Sequence, residues 1–429
     1  MKKIKLIALS ITICISLLLT GCDTPSTTTS GGNDSVETVN SSAENSGQRK
    51  TFGEIRESYD IDIEAIKSKD YDNLNFDKAI FAPPPEIDSI SELKLVELSG
   101  KTTDEMYDYF CKTVDTLTDN KYTDEEKRYV IRFFDAKPDE SKPRMEQYPN
   151  IDEYKNGQET KDPWLVIDNE NYFIWLGGGK LIKFNNGDLL DYDGKERKDL
   201  EGNYTMLLHD HVLYTEDLTS TDTYRLLDGE ISIADAAKFA QNYLDTLAYT
   251  PYVDANLPKP RIYAVNVFDL GNGYYGYDFM TTYEYNGVLF DRYESKKGVR
   301  GMTKVDNHYD KRNYGTWMGC IDMIRTNKIH AFADIVLPNN VVENEPTTEI
   351  IPVEAAADIV SDFFSGHMKF TITEVSMAWL YTQDYGANGE FEEQDGFPCW
   401  KFKMYANGEI YHTFVDVITG EVHLYIQAT

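Results

Sequence analysis

Two Asn-Gly pairs at matching positions constrain the fold of this chain more than any other feature of its sequence. Asn286-Gly287 and Asn407-Gly408 each separate two runs in which apolar and polar residues alternate. Such a pair supplies the two positive φ angles of a tight hairpin turn, so each predicts two adjacent antiparallel strands. The two pairs lie 121 residues apart (407 − 286). The spacing predicts that one structural unit occurs twice.

An amphipathic helix is predicted before each hairpin. Ser232 is a suitable N-cap, and apolar residues then recur at helical spacing over 233–244. Pro352 suits the start of the later helix, whose apolar residues recur over 353–364. The helix openings lie 120 residues apart (353 − 233). We therefore predict an α+β fold of repeated modules, each with one helix packed on an antiparallel β-meander, after a signal peptide and a disordered tether.

The chain divides into five predicted segments. They are a signal peptide (1–21), a disordered tether (22–50), an N-terminal α+β domain (51–228), a middle helix-plus-meander module (229–345) and a C-terminal helix-plus-meander module (349–429). The N-terminal domain begins with a charged segment, 53–80, which the stiff Ala-Pro-Pro-Pro run at 82–85 separates from the rest. A capping box from Thr102 to Glu105 then predicts a helix.

The start of the chain has the features of a secretory signal. Three lysines precede an apolar run, 6–19, that is too short for a good transmembrane helix. The Leu-Thr-Gly-Cys sequence ending at Cys22 resembles the lipobox of bacterial lipoproteins. That resemblance implies cleavage before Cys22 and a diacylglyceryl group on its thiol. We expect a lipid anchor at the extracytoplasmic face of the cell membrane, and an uncleaved signal anchor is the alternative.

The net charge restricts the partners of the protein. The whole chain carries −31, and residues 1–21 hold three lysines and no acid, so the remainder carries −34 (−31 − 3). Such a charge repels nucleic acid and anionic lipid headgroups, so neither is expected to bind. Acidic side chains exposed to solvent account for the charge, and the binding of divalent cations is the more specific alternative.

Three cysteines follow Cys22 in the sequence. They are Cys111, Cys320 and Cys399. Because their number is odd, they form at most one intramolecular disulfide. A bridge between Cys320 and Cys399 and buried free thiols acting as small apolar residues both stay open.

Metal-ligating patterns in the sequence are few. His209 and His211 share a face if they lie on a strand, where both could ligate zinc or copper, but further ligands are not identifiable. Two solvated histidines are the alternative. Weak calcium binding is a second option, although a polar hairpin end explains the same carboxylates and their spacing departs from the EF-hand pattern. These carboxylates surround Gly194 and are Asp188, Asp191, Asp193 and Glu196. No resident cofactor is expected.

Aromatic residues alternate along one predicted strand of the middle module. Exposed tyrosines bind sugars and peptides by stacking, which would suit a wall-facing protein. The same stripe is what the predicted helix over 232–244 requires as a packing surface, so we favour a core role. The residues concerned are Tyr275, Tyr277, Phe279, Tyr283 and Tyr285.

Two stretches of the C-terminal module point to a known type of module. The module opens with Pro-Val-Glu-Ala-Ala at 352–356 and ends with Phe-Val-Asp-Val-Ile-Thr-Gly-Glu-Val at 414–422. In these residues it resembles the PepSY-type modules of exported bacterial proteins. The resemblance implies binding or inhibition rather than catalysis. As a whole, the chain resembles uncharacterised surface lipoproteins of Gram-positive bacteria, so we expect a membrane-anchored lipoprotein with a non-catalytic binding or regulatory role at the cell surface.

Two other functions stay open. The chain holds 73 Asp and Glu residues, which leaves room for a wall or glycan hydrolase that uses paired carboxylates. A transporter's solute-binding lipoprotein is the second option, but such proteins have lobes with parallel sheets, whereas hairpins dominate here. Cys399, His412 and Asp416 could be drawn as a catalytic triad, but each is an ordinary member of the meander.

One face of the C-terminal meander is a candidate binding surface. A single amphipathic helix covers one face of a sheet, so the other face meets solvent or a partner. In the segment 400–405, Trp400, Phe402 and Met404 alternate with three amphipathic residues. We predict that the three amphipathic residues contact another exported protein or a wall polymer, and a contact between modules of the same chain is the alternative. The amphipathic residues are Lys401, Lys403 and Tyr405.

Overall fold

The computed structural model confirms the α+β class, since its helices accompany a large, mostly antiparallel sheet. Among the described residues, no helix is both long and apolar enough to cross a membrane. The structure describes residues 49–96, 101–133, 149–155, 164–168, 172–177, 181–185, 211–215, 217–246, 256–271, 273–291, 300–303, 313–314, 319–336, 340–364, 368–383 and 394–427.

The elements of the N-terminal half alternate between helices and short strands. In chain order they are β1 (Lys50–Thr51), α1 (Phe52–Ser68), β2 (Leu74–Asn75), β3 (Ile80–Phe81), β4 (Leu93–Val96), α2 (Thr103–Leu117), α3 (Asp124–Val130), β5 (Arg132–Phe133), α4 (Ile151–Lys155), β6 (Leu165–Asp168), β7 (Phe173–Gly177), β8 (Leu181–Asn185), β9 (His211–Thr215), β10 (Thr223–Leu226) and β11 (Gly229–Ser232).

The second half contains the two predicted helices, each followed by long strands. Its elements are α5 (Ile233–Thr246), β12 (Lys259–Gly271), β13 (Tyr274–Tyr285), β14 (Val288–Phe290), β15 (Arg300–Thr303), β16 (Asn313–Tyr314), β17 (Cys320–Met323), β18 (Ala331–Val336), β19 (Asn340–Glu343), β20 (Glu349–Ile350), α6 (Val353–Phe363), β21 (Phe370–Gln383), β22 (Gln394–Ala406), β23 (Glu409–Asp416) and β24 (Val422–Gln427).

The helix starts are fixed by local side-chain hydrogen bonds. The predicted capping box at Thr102 is confirmed, because Thr102 Oγ1 accepts from the Glu105 N–H while the Glu105 carboxylate accepts from the Thr102 N–H. The same reciprocal bonds open α1 at Thr51 and α3 at Thr123. A capping threonine typically contributes about 1 kcal/mol relative to alanine.

Both Asn-Gly pairs form the tight turns that the sequence predicts. Asn286 and Gly287 have φ angles of 50° and 73°, and Asn407 and Gly408 have 53° and 85°. The first turn joins β13 to β14 and the second joins β22 to β23, in antiparallel pairs. The two meanders meet where β14 lies parallel to β21, with Leu289 opposite Ala378.

A first hydrophobic core, which we call the first core, lies under α1 and α6. It joins buried residues of α1, such as Phe52 and Ile55, to buried residues of the C-terminal meander, such as Trp400. The loop after α1 also binds α6, since Asn73 Nδ2 donates to the Ser361 carbonyl at 2.7 Å. The first core thus crosses the boundary between the predicted N-terminal domain and the predicted C-terminal module.

A second hydrophobic core lies between α2, α5 and the middle strands. It contains α2 residues such as Phe110 and α5 residues such as Ala240, packed on Tyr277 and Phe279 of β13. Tyr283, further along the same strand, belongs to the first core. Strand β13 therefore passes through both cores. The core role of the aromatic stripe is confirmed for its four most buried members, Tyr277, Phe279, Tyr283 and Tyr285.

Candidate functional site

A cleft of about 420 Å³ lies where the two meanders meet. One wall is formed by Ala82, Pro83 and Pro85 of the Ala-Pro-Pro-Pro run, and the others come mainly from β12, β13, β14, β21 and Lys401 of β22. Tyr59 of α1 holds the first wall in place, because its hydroxyl donates to the Ala82 carbonyl. The Ala82 N–H in turn donates to the Val375 carbonyl of β21 at 2.9 Å.

The apolar lining of the cleft follows from the alternation of β14. Val288 and Phe290 are each 2% exposed and pack into the first core. Leu289 points to the opposite face, lines the cleft and remains 38% exposed. Because β14 has only three residues between the turn and the parallel contact with β21, its single outward side chain is directed into this space.

A buried ion pair lies at the polar side of the cleft. Lys401 Nζ lies 2.7 Å from Asp291 Oδ1, and the two side chains are 12% and 2% exposed. The Asp291 N–H donates to the Trp379 carbonyl at 2.8 Å, which fixes the residue next to β21. Ser376 Oγ donates to Glu374 Oε1 at 3.0 Å on the same wall. The cleft thus combines apolar walls with one ammonium group, two carboxylates and the hydroxyl-bearing residues Ser376, Thr282 and Tyr263.

This arrangement is suited to holding a small ligand. Its volume falls in the range of about 300–1,000 Å³ that is usual for small-ligand pockets, which are mostly apolar with a few placed polar groups. The Lys401 ammonium is already bonded to Asp291, so it is oriented before any ligand arrives. A ligand with an apolar body and a polar end matches both parts of the cleft.

The structure distributes the three predicted binding residues over different environments. The predicted alternation is confirmed, since Trp400, Phe402 and Met404 are fully buried in the first core. Lys401 lines the cleft, and Lys403, which is half-buried, lies opposite Glu374 of β21 and His412 of β23. Tyr405 is 48% exposed near the hairpin end. That they contact a partner together stays a prediction.

A pair of carboxylates lies buried in the middle meander, well separated in sequence. Asp278 on β13 and Asp322 on β17 are opposite each other in the antiparallel ladder and are 9% and 2% exposed. Cys320 is two residues from Asp322 on the same face. Burial raises the pKa of Asp322 well above its usual range, and the negative charge of Asp278 raises it further. At most one of the two carboxyls is then readily ionised.

The residues that could be drawn as a catalytic triad have hydrogen bonds or surroundings that fit a structural role. Burial raises the pKa of the Cys399 thiol well above its ordinary value, which opposes formation of a nucleophilic thiolate. Asp416 Oδ1 accepts hydrogen bonds from the Ile418 and Thr419 N–H groups at 2.7 and 3.1 Å and so closes the turn before β24. His412 lies opposite Lys403. Among the described residues, Cys111, Cys320 and Cys399 form no disulfide bond, so the Cys320–Cys399 bridge that the sequence left open is not present.

Several sequence predictions concern parts of the chain that the structure does not describe. Cys22 and His209 lie outside the described residues, as do the carboxylates around Gly194. His211 is the first residue of β9, but its side chain is not described. The metal predictions for the histidine pair and for calcium therefore stay untested.

Apart from Lys401, sequence reasoning did not identify the strand residues that form the cleft. Four of these residues lie on two strands that are distant in sequence, or directly after one of them. They are Leu289 on β14, Asp291 just after β14, and Glu374 and Ser376 on β21. Their only signal was the predicted hairpin that places Leu289 next to the Asn-Gly turn. The carboxylate pair was missed for the same reason, because β13 and β17 are not consecutive strands.

Comparison with known proteins gives little further information. No protein-family model matches the chain, and no curated protein is significantly similar to it. The chain is similar to an uncharacterized protein from Eubacterium rectale, known from a crystal structure, with 13% identity and a TM-score of 0.45 over 86% of this chain and 95% of that chain. A likeness at this level carries no argument about function.

Proposed function

We propose that the protein is a membrane-anchored extracytoplasmic lipoprotein with a non-catalytic binding or regulatory role, and that the cleft between the two meanders holds its ligand. The observation that carries the proposal is the preoriented Lys401–Asp291 pair beside the apolar wall that includes Leu289. The lipobox-like sequence ending at Cys22 supports the anchor. The PepSY-like stretches of the C-terminal module support a binding role.

The two helix-plus-meander units are proposed to be repeats. In each, a helix precedes two long antiparallel strands and an Asn-Gly turn with two positive φ angles. The element order α5, β12, β13, β14 corresponds to α6, β21, β22, β23. The cleft then lies where the third strand of one repeat, β14, pairs with the first strand of the next, β21.

The ligand is proposed to be a short peptide, presented by another exported protein or by a wall polymer. A peptide offers apolar side chains for the walls around Leu289 and Met377, and an amide or carboxylate for the Lys401–Asp291 pair. A bare glycan is a poorer match, since it lacks the apolar side chains that this wall would bury.

The cleft is tested by a substitution that fills it. Leu289→Trp is expected to weaken peptide binding about ten-fold, because a larger side chain displaces roughly two methylene-sized groups of the ligand at about 0.8 kcal/mol each. The measurement is a titration with soluble wall fragments, with and without their peptides, and with peptides from exported proteins. Binding is followed through the methyl resonance of Met377, which lines the cleft.

The matched control is a similar exchange elsewhere. Val342 on β19 is 44% exposed and does not line the cleft, so Val342→Trp is expected to bind like the wild type. Fragments that shift the Met377 resonance only when they carry peptide would support the wall polymer as the source. Equal binding by both variants, or no shift with any peptide, would rule out the cleft as the binding site.

The lipid anchor is tested independently of the cleft. Cys22→Ala is expected to remove the thiol that the lipobox resemblance marks for acylation, so metabolic labelling with a fatty acid disappears. Cys111→Ser, which changes a different cysteine, is the control and is expected to keep the label. Label that persists on the Cys22→Ala protein would contradict the anchor.

A wall or glycan hydrolase remains the second candidate because of one observation. Asp278 and Asp322 face each other, and the pKa of Asp322 is raised, as a general acid requires. Their burial to 9% and 2% opposes this function, since a glycan must reach both carboxyls. A solute-binding lipoprotein is supported less, because the long strands of the described residues pair mainly antiparallel.

A further inference from the structure

We propose that Asp278, Cys320 and Asp322 form a binding site for a zinc ion inside the middle meander. The site is separate from the cleft and does not depend on its function. Asp278 lies on β13 and the other two residues lie on β17, with Asp278 directly opposite Asp322 and Met280 directly opposite Cys320. The antiparallel register therefore directs all three side chains to one face of the sheet.

The distances among the three residues fit a single ion. One ligand atom of each, the cysteine sulfur or a carboxylate oxygen, lies within 4.8 Å of the others. Zinc bonds of about 2.0–2.2 Å to oxygen and about 2.3 Å to sulfur place the ligand atoms of a tetrahedral site about 3.3–3.7 Å apart. Small side-chain rotations close the remaining difference. Three protein ligands leave the fourth position of zinc to a solvent molecule.

The donor set selects the class of metal. A thiolate favours zinc over calcium and magnesium, which prefer sites built from oxygen alone. Two carboxylates beside it suit zinc better than copper(I), which selects thiolates and thioethers. Zinc binding also involves no change of oxidation state, so it requires no oxidant or reductant.

Burial provides an observation independent of the clustering. Asp322 is 2% exposed, and its Oδ1 atom has no hydrogen-bond partner among the described residues. A buried carboxylate oxygen that accepts no hydrogen bond is costly, and a cation is one of the few groups that offsets the cost. A bound Zn²⁺ would also offset the repulsion between the facing carboxylates of Asp278 and Asp322.

The surroundings hold these ligands in place. Asn266 on β12, opposite Asp278 in the ladder, donates from Nδ2 to Asp278 Oδ2 at 3.2 Å. The His330 N–H donates to the backbone carbonyl of Asp322 at 2.8 Å, which fixes the backbone of β17 at the ligand position. Bonds of this kind orient metal ligands, and their loss typically weakens metal binding by about 10–100-fold.

The experiment measures zinc binding by the purified full-length protein after chelation. Zinc content is measured by mass spectrometry after reloading, and affinity by competition with a chromogenic chelator. Cobalt(II) then reports thiolate ligation through its charge-transfer absorption. The wild type is expected to take up one equivalent of zinc and to show the thiolate band with cobalt.

Four variants identify the ligands. Cys320→Ser and Asp322→Asn are expected to weaken zinc binding by more than about 100-fold, and Asn266→Ala by about 10–100-fold. Cys111→Ser is the matched thiol control and is expected to bind like the wild type. A thermal unfolding transition of each metal-free variant shows that the variant is folded. We expect this transition because Cys320→Ser and Asp322→Asn keep the side-chain volume.

Three results would overturn the proposal. The first is a folded wild type that retains less than about 0.1 equivalent of zinc after reloading. The second is zinc binding that survives Cys320→Ser and Asp322→Asn but is lost when His209 and His211 are replaced by alanine. The third is a pair of carboxyls that share one proton, shown by an infrared band of a protonated carboxyl that persists at saturating zinc.

Discussion

Lys401→Met is expected to lower the free energy of unfolding by about 3–5 kcal/mol, because it leaves the Asp291 carboxylate buried without its partner. Asp291 is 2% exposed, so water hydrates its carboxylate poorly once the ammonium group is lost. The Lys401 ammonium lies 2.7 Å from it, and the methionine side chain fills similar space without a charge. Urea unfolding, followed by far-UV circular dichroism, measures the change.

A double-mutant cycle separates the lost ion pair from lost packing. Asp291→Asn removes the carboxylate charge, so the double variant Lys401→Met/Asp291→Asn is expected to regain most of the stability that Lys401→Met loses. A double variant as unstable as Lys401→Met would show that packing, and not charge, explains the loss.

An exposed ion pair serves as the control. Lys69 pairs with Asp358 on the surface, where the side chains are 45% and 37% exposed. Exposed pairs typically contribute no more than about 1 kcal/mol, so Lys69→Met is expected to change stability by less than that. Equal losses from Lys69→Met and Lys401→Met would contradict the special role of the buried pair.

The sequence predicts the parts of this fold that are encoded locally. The turns at Asn286 and Asn407 follow from two residue types that tolerate positive φ, and the alternation around Trp400 follows from a strand with one buried face. The capping box at Thr102 follows from side chains three residues apart. Each of these signals lies within a few residues, so single-sequence reasoning is sufficient.

Features that depend on distant contacts were not predicted. Lys401 looks like a surface residue in sequence, but its partner, Asp291, lies 110 residues away (401 − 291) and the pairing of β14 with β21 brings them together. The facing of Asp278 and Asp322 depends in the same way on the register of β13 with β17. No local pattern specifies a register between strands that are not consecutive.

Helix α1 was missed for a different reason. Its segment is rich in charged residues, which obscure the helical spacing of its apolar residues. Yet Thr51 and Glu54 form a capping box like that of Thr102, and the buried face carries apolar residues at helical spacing. A buried acid, Asp62, interrupts this face and is bound by Lys50 Nζ at 3.0 and 3.1 Å. The apolar residues are Phe52, Ile55, Tyr59 and Ile66.

Phe52→Ala is expected to lower the free energy of unfolding by about 3–5 kcal/mol, although Phe52 lies 327 residues before Trp379 (379 − 52) and 348 before Trp400 (400 − 52) in the same core. Its ring is fully buried in the first core with Trp379 and Trp400. Truncation removes buried apolar surface and leaves a cavity that the packed sheet closes only in part. Urea unfolding, followed by tryptophan emission, measures the loss.

The exposed face of the same helix provides the control for Phe52→Ala. Ile61 on α1 is 70% exposed, so Ile61→Ala removes a large apolar side chain without a cavity, and we expect a change within about 0.5 kcal/mol. If Phe52→Ala were equally harmless, the C-terminal meander would not depend on this residue of α1, and residues 349–429 could fold as an independent module. If it is costly, the C-terminal meander depends on α1, because the helix covers part of the same core and its following loop binds α6 through Asn73.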